Sequence, residues 1–371
     1  ATTKPEPGGI YVYIRDAFGG FTAFLYGWAL FLVIASATNA TLAVAFASYL
    51  RELMPLSPLA AKGVAVGMIA VLAAINAIGT RHSANLQNWT TVIKVGGILA
   101  MGLFLIARGD GLATASVAPP SYDGSLLLGM GAAMLGVLWA YEGWHFVTFS
   151  AGEVVEPQRK FPRGIIVGTA ALIGIYLLAN IAYVAALGME RSAGSERIAS
   201  EAVTAILGPG AGKLVAVAIL VAMFSSANAT VLTATRVYYA MAHDGVFFRH
   251  MGAVHPKWKT PVFAIVVSSA WAAVLAASGT FEQLLTYVVF VGWAFYSLGA
   301  ASIFWFRRRE PDAARPYRVP GYPWTPWLFI GIAAVIVVNT IWLHPGRAAV
   351  GIGLVALGVP VYWFWKRRGP T

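Results

Sequence analysis

Residues 17–50 read AFGGFTAFLYGWALFLVIASATNATLAVAFASYL and contain no charged side chain over 34 positions. A helix of that length measures about 51 Å, whereas the hydrocarbon core of a bilayer is about 30 Å thick. The segment is therefore long enough to cross a membrane with a tilt or an extension past the interface. Because it shows no alternation with a period of two residues, it predicts a helix rather than a barrel strand.

Nine further stretches share this apolar character. Hydrophobic residues make up 58% of the chain and charged residues 11%, against about 25% charged residues in ordinary soluble domains. We therefore expect an all-α integral membrane protein whose residues 1–371 form a single polytopic domain with ten transmembrane helices. The predicted spans are residues 21–50, 59–78, 89–107, 126–149, 165–188, 214–241, 262–277, 284–306, 326–343 and 350–366.

The positive charges fall on alternate loops between these spans. One set of loops, which includes both ends of the chain, carries 18 of the 26 Lys and Arg residues when the adjoining ends of the spans are counted with the loops, and the opposite set carries 7. Lys and Arg accumulate in cytoplasmic loops, so both ends of the chain are expected in the cytoplasm, as an even number of spans requires. The net charge of +11 is explained by this asymmetry, and no nucleic-acid partner is predicted.

Familiar catalytic and metal-binding patterns are absent from the sequence. The chain has no Cys, its six His residues show no metal-ligand spacing, and no phosphate loop or nucleophile elbow occurs. Histidines in such a chain are expected at the membrane interface. We therefore predict no metal, no cofactor, no catalytic residue and no enzyme activity.

The fourth predicted span contains an unusual sequence at its middle. Residues 136–164 read GVLWAYEGWHFVTFSAGEVVEPQRKFPRG, which places Glu142 far from either end of the span and Gly143 directly after it. A carboxylate at this depth should not face lipid, and Gly weakens a helix interior. Two interpretations stay open: a broken helix that lines a cavity, or a continuous helix whose Glu142 is paired with a neighbour. The acidic residues that follow, Glu153 and Glu156, are interpreted as forming local ion pairs at a cytoplasmic helix end.

Lys94 is the second candidate, about 8 Å inside the start of the third span. Its side chain could reach back to the cytoplasmic interface. If the ammonium is buried instead, it could serve as a reversible proton site or occupy the place of a bound sodium ion. Ser225, Ser226 and Asn228 lie together in the sixth span, where hydroxyls commonly bond to their own helix or a neighbouring one.

Five segments give the chain a family resemblance. PEPGGIYVYIRDAFGGFTAFLYGW, RHSANLQNWTTVIK, AYEGWHFVTFSAGEVVEPQRKFPRGI, RVYYAMAHDGVFF and RPYRVPGYPW resemble the amino acid–polyamine–organocation superfamily, most closely its L-type amino acid transporter branch and the bacterial relatives of that branch. The resemblance implies the leucine-transporter fold, which has two inverted five-helix repeats followed by two helices. In that register the ten spans correspond to helices three to twelve, and the first two helices are expected to be missing from this chain.

The resemblance also implies roles for individual residues. Ala140, Tyr141, Glu142 and Gly143 would line the substrate site in an unwound helix, with Trp139 at the position of a gating aromatic residue. Lys94, Ser225 and Ser226 would stand where other members bind sodium. Eukaryotic members of the branch join a heavy chain through a Cys that has no counterpart in the loop 51–58, so no disulfide-linked heavy chain is expected.

These observations predict a sodium-independent secondary transporter of amino acids in the cytoplasmic membrane. It would work by alternating access, either as an exchanger or as a proton-coupled symporter. Its expected partners are an amino acid substrate and the lipid bilayer. The alternative is a non-transporting membrane protein, either a truncated product or an interaction scaffold.

Overall fold

The computed structural model of the protein describes residues 6–113, 126–195 and 197–368, and the regular structure in these ranges is entirely helical. The α-helices are α1 (Ile10–Phe18), α2 (Gly20–Ala29), α3 (Ala35–Leu50), α4 (Pro58–Ile78), α5 (Thr80–Arg108), α6 (Leu126–Ala140), α7 (Pro157–Gly194), α8 (Ile198–Leu207), α9 (Pro209–His243), α10 (Val262–Ser278), α11 (Phe281–Arg309), α12 (Trp324–Leu343), α13 (Pro345–Ala356) and α14 (Gly358–Arg368). The predicted all-α membrane architecture is confirmed at this level.

Eight helical stretches in the described residues are long and apolar enough to cross a membrane. They account for eight of the ten predicted spans. The spans 126–149 and 262–277 correspond to α6 and α10, which have 15 and 17 residues. The helix α6 is short because it ends at Ala140, in the middle of the span that the sequence predicts.

The charge-free stretch at residues 17–50 forms the centre of the bundle. Within it, α2, a π-helical segment (Leu30–Ile34) and α3 join into one helical run of 31 residues, Gly20–Leu50, most of which is buried. A helix that is apolar on all sides is typical of a core position. Accordingly, α3 packs against α4, α9, α10 and α11.

In the π-helical segment the Leu30 carbonyl accepts the Ala35 amide, five residues further on, and side chains from other helices donate to carbonyls of the same segment. The indole of Trp271 donates to the Leu32 carbonyl at 2.7 Å, and the Tyr238 hydroxyl donates to the Leu30 carbonyl at 3.5 Å. Carbonyls at membrane depth must be satisfied within the protein. These bonds therefore fix α9 and α10 against the central helix.

Two short helices, α1 and α8, lie outside the predicted spans. The sequence predicts no separate element for α1, but this helix packs against α2 and α11 and buries Ile10, Tyr11 and Ile14. The Tyr11 hydroxyl and the Arg15 guanidinium donate to the Asp244 carboxylate, which follows α9, at 2.7 and 3.0 Å. The helix α1 is thus attached to the cytoplasmic end predicted for α9.

Candidate functional site

The fourth predicted span is broken at the position that the sequence indicates. The helix α6 ends at Ala140, Gly143 has a φ of +103°, and a 3₁₀ helix, Phe146–Glu153, follows the turn. Gly adopts this conformation without the steric penalty that a side chain would incur. The break leaves the Ala140 carbonyl free of the helix, and the Tyr176 hydroxyl of α7 donates to it at 2.8 Å. The broken-helix interpretation is confirmed.

Glu142 also has a neighbour, so part of the second interpretation holds as well. The Tyr296 hydroxyl of α11 donates a hydrogen bond to the Glu142 carboxylate. The Tyr296 ring is almost fully buried, and its centre lies 6.3 Å from the ring centre of Trp144. The break and the carboxylate are therefore connected to α11 through one phenol. Sequence reasoning missed Tyr296, because nothing in its own span sets it apart.

A cavity of about 450 Å³ adjoins the break. Four consecutive residues of the turn, Tyr141 to Trp144, form one side of it. Residues of the first half of α7, among them Lys160, Phe161 and Thr169, form the other side. The arrangement places a carboxylate, aromatic faces and the backbone of the turn around one space large enough for a small polar molecule.

Trp139 and Ala140 precede the turn on α6. The Trp139 ring meets Phe281 of α11 edge to face, with ring centres 5.6 Å apart. Its indole Nε1 is buried and has no hydrogen-bond partner among the described residues. Ala140 is exposed.

Lys94 extends across to α9 rather than standing alone. Its ammonium donates to the Ser225 hydroxyl at 3.1 Å. The Ser225 hydroxyl lies 2.6 Å from that of Thr90 and also bonds the Gln87 amide oxygen at 3.1 Å. Lys94 is half-buried and Ser225 is fully buried. The structure thus brings Lys94 and Ser225 together.

Ser226 lies beside this cluster but is not joined to it by a hydrogen bond in the described part of the chain. Its carbonyl accepts a hydrogen bond from Thr230, one turn further along α9. Asn228 belongs to a different group, in which its amide oxygen accepts hydrogen bonds from Asn76 at 2.9 Å and Ser83 at 3.0 Å. Asn76 and Ser83 were not singled out from the sequence.

The two groups form one polar seam between α5 and α9. We define the polar seam as Ser83, Gln87, Thr90 and Lys94 of α5 with Ser225 and Asn228 of α9. The four α5 residues are spaced by four, three and four positions, so they share one helix face. That spacing is a signal in the sequence that could have identified the seam.

His145 corrects the expectation that histidines lie at the interface. The side chain is fully buried directly after the break, and its ring centre lies 4.3 Å from that of Tyr296. Neither ring nitrogen has a hydrogen-bond partner among the described residues. The described residues include no group of three or more His, Asp or Glu side chains that could hold a metal ion.

The 3₁₀ helix after the break is held by two contacts with distant parts of the chain. The Glu153 carboxylate pairs with the Arg236 guanidinium of α9 at 3.0 Å, so the local ion pair that the sequence predicts for this glutamate is replaced by one with a distant helix. The Phe149 carbonyl accepts a hydrogen bond from the Gly8 amide at 2.9 Å. A Cβ on Gly9 would collide with the Thr148 hydroxyl, so glycine is required for this close approach.

Comparisons with known proteins find similarity to amino acid permeases and transporters over nearly the entire chain. The family described as "Amino acid permease" matches residues 1–365. The serine/threonine exchanger SteT of Bacillus subtilis is 29% identical over 370 residues, which cover 99% of this chain and 84% of that protein. The human large neutral amino acids transporter small subunit 2 is 26% identical over 380 residues, covering 99% and 70%. The human cystine/glutamate transporter is 27% identical over 381 residues, covering 99% and 74%.

Proposed function

This chain belongs to the amino acid permease family, and from that premise we propose that it carries amino acids across the cytoplasmic membrane by alternating access. The observation that supports the proposal most directly is the break at Tyr141–Trp144 beside a cavity of about 450 Å³. In the proposed fold, the described spans correspond to helices three to twelve of the leucine-transporter arrangement. The ends of the described chain would face the cytoplasm.

The broken helix supplies complementary groups for the two charged ends of an amino acid. The last carbonyls of α6, up to Ala140, carry partial negative charge and attract an ammonium. The amides that open the 3₁₀ helix after Gly143 carry partial positive charge and attract a carboxylate. Trp139 to Gly143 would therefore bind the part that all amino acids share, with the Trp139 indole at the edge of the site.

Glu142 limits the side chains that the site accepts. Its carboxylate lies on the turn side of the cavity, so a negatively charged side chain directed at the turn would meet repulsion, whereas Lys160 carries the opposite charge on the α7 side. The names of the related proteins cover serine and threonine, large neutral amino acids, and cystine and glutamate. Within that range we propose neutral or basic amino acids for this chain, with Tyr296 orienting the Glu142 carboxylate.

Lys94 supports transport without sodium. Its ammonium is bonded to Ser225 between α5 and α9, with Ser226 next in the chain. A fixed positive charge at this place would repel a sodium ion and would hold the two helices in the manner of a bound cation. Proton coupling and exchange both agree with a lysine at this position.

The contacts at the 3₁₀ helix supply a cytoplasmic closure for alternating access. Glu153–Arg236 and Gly8–Phe149 hold the segment after the break against α9 and the start of α1. Opening toward the cytoplasm would require both contacts to part. No disulfide-linked heavy chain and no cofactor are proposed.

Counterflow in proteoliposomes tests this function. Purified protein is reconstituted with one unlabelled amino acid inside, and uptake of each labelled amino acid is followed with choline replacing sodium, with and without a proton gradient. We expect uptake of neutral or basic amino acids without sodium. Stimulation by a proton gradient with empty vesicles would identify a symporter, and dependence on an internal amino acid would identify an exchanger. No uptake under any condition would favour the scaffold alternative.

A further inference from the structure

A second cavity lies at the cytoplasmic end of α11, away from the broken helix. It has a volume of about 180 Å³ and is formed by α1, the last turns of α11 and the segment that leads to α12. Its lining includes Tyr13, Arg307, Glu310 and Arg315. None of these residues has a part in the amino acid site described above.

Arg307 brings a positive charge to this cavity. Its guanidinium lies 3.6 Å from the centre of the Tyr322 ring, a cation–π contact that holds the group beside the cavity. The Arg307 Nε is buried and has no hydrogen-bond acceptor, and no salt bridge to Arg307 occurs among the described residues. Buried donors in proteins nearly always have a partner, so a water molecule or a ligand is expected beside this one.

Tyr13 supplies a second donor on the opposite wall. Its hydroxyl is buried and has no partner in the part of the chain that the structure describes. Burial raises the pKa of Tyr13, so the hydroxyl stays protonated and can donate. Two unused donors from α1 and α11 therefore line the same small space.

Arg315 holds a second positive charge beside the first. Its guanidinium donates to the carbonyls of Phe306, Pro311 and Ala313, and also to that of Glu310. These bonds fix the charge at the C-terminal end of α11, where a helix favours cations. The combined field of Arg307 and Arg315 attracts an anion, whereas the Glu310 carboxylate on the same wall disfavours one that carries two charges.

Exposed tryptophans near the cavity indicate that such an anion would come from the membrane surface. Trp324 is 77% exposed and Trp327 is 58% exposed, next to the cavity's own segment, and both follow the cluster Arg307–Arg309. Exposed Trp beside Arg is typical of the level of the lipid headgroups. Basic side chains on the cytoplasmic side also meet a leaflet that contains anionic lipids.

We propose that this cavity binds the singly charged phosphodiester of an anionic phospholipid headgroup in the cytoplasmic leaflet. Arg307 and Tyr13 would donate to the phosphate oxygens, because the planar guanidinium matches phosphate geometry. The shared chemistry is that of a phosphate, so free inorganic phosphate is the other source to be distinguished. The site stands independently of transport.

Native mass spectrometry of the purified protein with phosphatidylglycerol measures this binding. Variants are R307Q, Y13F and, as a matched control, R308Q, which removes the same charge from the adjacent exposed arginine. We expect retained one-to-one lipid binding in wild type and R308Q. Binding should weaken about tenfold in R307Q and less in Y13F, since an arginine contributes charge-assisted bonds and a phenol a neutral one. Y13F removes a single oxygen atom, so its lipid binding can be measured even if R307Q folds poorly.

A separate arm adds inorganic phosphate in place of the lipid and follows thermal stability. Stabilisation by phosphatidylglycerol with no effect of inorganic phosphate supports the lipid headgroup. Binding of phosphate without binding of lipid would overturn that assignment. Equal lipid binding by R307Q and R308Q would overturn the site itself. Because no readout uses uptake, each result is separate from the proposed transport.

Discussion

The Lys94 ammonium donates a hydrogen bond to the Ser225 hydroxyl over 3.1 Å, from the face of α5 to the buried side of α9. Ser225 in turn forms hydrogen bonds with Thr90 and Gln87, so the Lys94 ammonium is bonded to a network of uncharged polar groups. Hydrogen bonds to a charged group are stronger than neutral ones, and losing one leaves its partners unsatisfied. The seam therefore couples the position of α5 to that of α9.

Replacing Lys94 with Ala should lower the uptake rate about tenfold or more while expression stays near normal. The loss of a hydrogen bond from a charged group accounts for a factor of this size. Uptake in proteoliposomes, normalised to the reconstituted protein, is the measurement. Lys213→Ala, an exposed lysine on α9, is the matched control. Wild-type uptake by Lys94→Ala would mean that the ammonium has no part in transport.

Uptake by the wild-type protein should be unchanged when choline replaces sodium. In the proposed function the fixed ammonium of Lys94 would stand in place of a mobile cation, so no sodium would be needed to hold α5 against α9. Initial rates over a series of sodium concentrations check this expectation. A saturable rise of the rate with sodium would contradict it.

Glu142→Gly should change substrate choice more than folding, and Glu142→Gln should admit acidic amino acids that the wild type rejects. Both changes remove the charge that lines the cavity, and the second one keeps a partner for the Tyr296 hydroxyl. Competition of labelled uptake by each of the twenty amino acids gives the profile. Glu282→Gln, whose side chain is 80% exposed, serves as the control. An unchanged profile in both variants would remove Glu142 from substrate selection.

Gly143→Ala should destabilise the protein by about 1–2 kcal/mol and reduce uptake, because an L-residue resists the positive φ of this turn. No atom lies within 4 Å of the Cβ that the change adds, so the effect isolates the backbone. Gly136→Ala is the matched control, since its new Cβ is equally unobstructed and lies inside α6. Thermal melting and uptake are compared for both variants. Equal melting temperatures would show that the turn tolerates a side chain.

Glu153→Arg and Arg236→Glu should each lower the uptake rate by about two- to fivefold, and the double variant should recover part of the loss. An ion pair with one exposed partner contributes up to about 1 kcal/mol, which limits the size of the effect. Arg197→Gln breaks a different ion pair, with Glu52, and should leave the rate unchanged. Additive effects of the two reversals would show that the pair does not act as a unit.

Residue pattern alone was sufficient for the break and for eight of the ten predicted spans, which the described residues form as helices long enough to cross a membrane. Charge-free runs such as residues 17–50 have few ways to satisfy their backbone in lipid, so composition leads directly to helices. A mid-span Glu142 followed by Gly143 is costly in an intact helix, and the break relieves that cost. The family resemblance is confirmed by the amino acid permease match over residues 1–365.

Only the tertiary structure shows which residues meet across helices. Tyr296 lies 154 positions from Glu142, and Arg236 lies 83 positions from Glu153. Which residues meet depends on how each helix is rotated about its axis and how deeply it sits, and these are settled by packing of the whole bundle. Periodicity places Ser83, Gln87, Thr90 and Lys94 on one face of α5, but it does not say which helix that face meets. His145 illustrates the same limit, because its complete burial follows from the turn at Gly143 and from the aromatic rings that close around it.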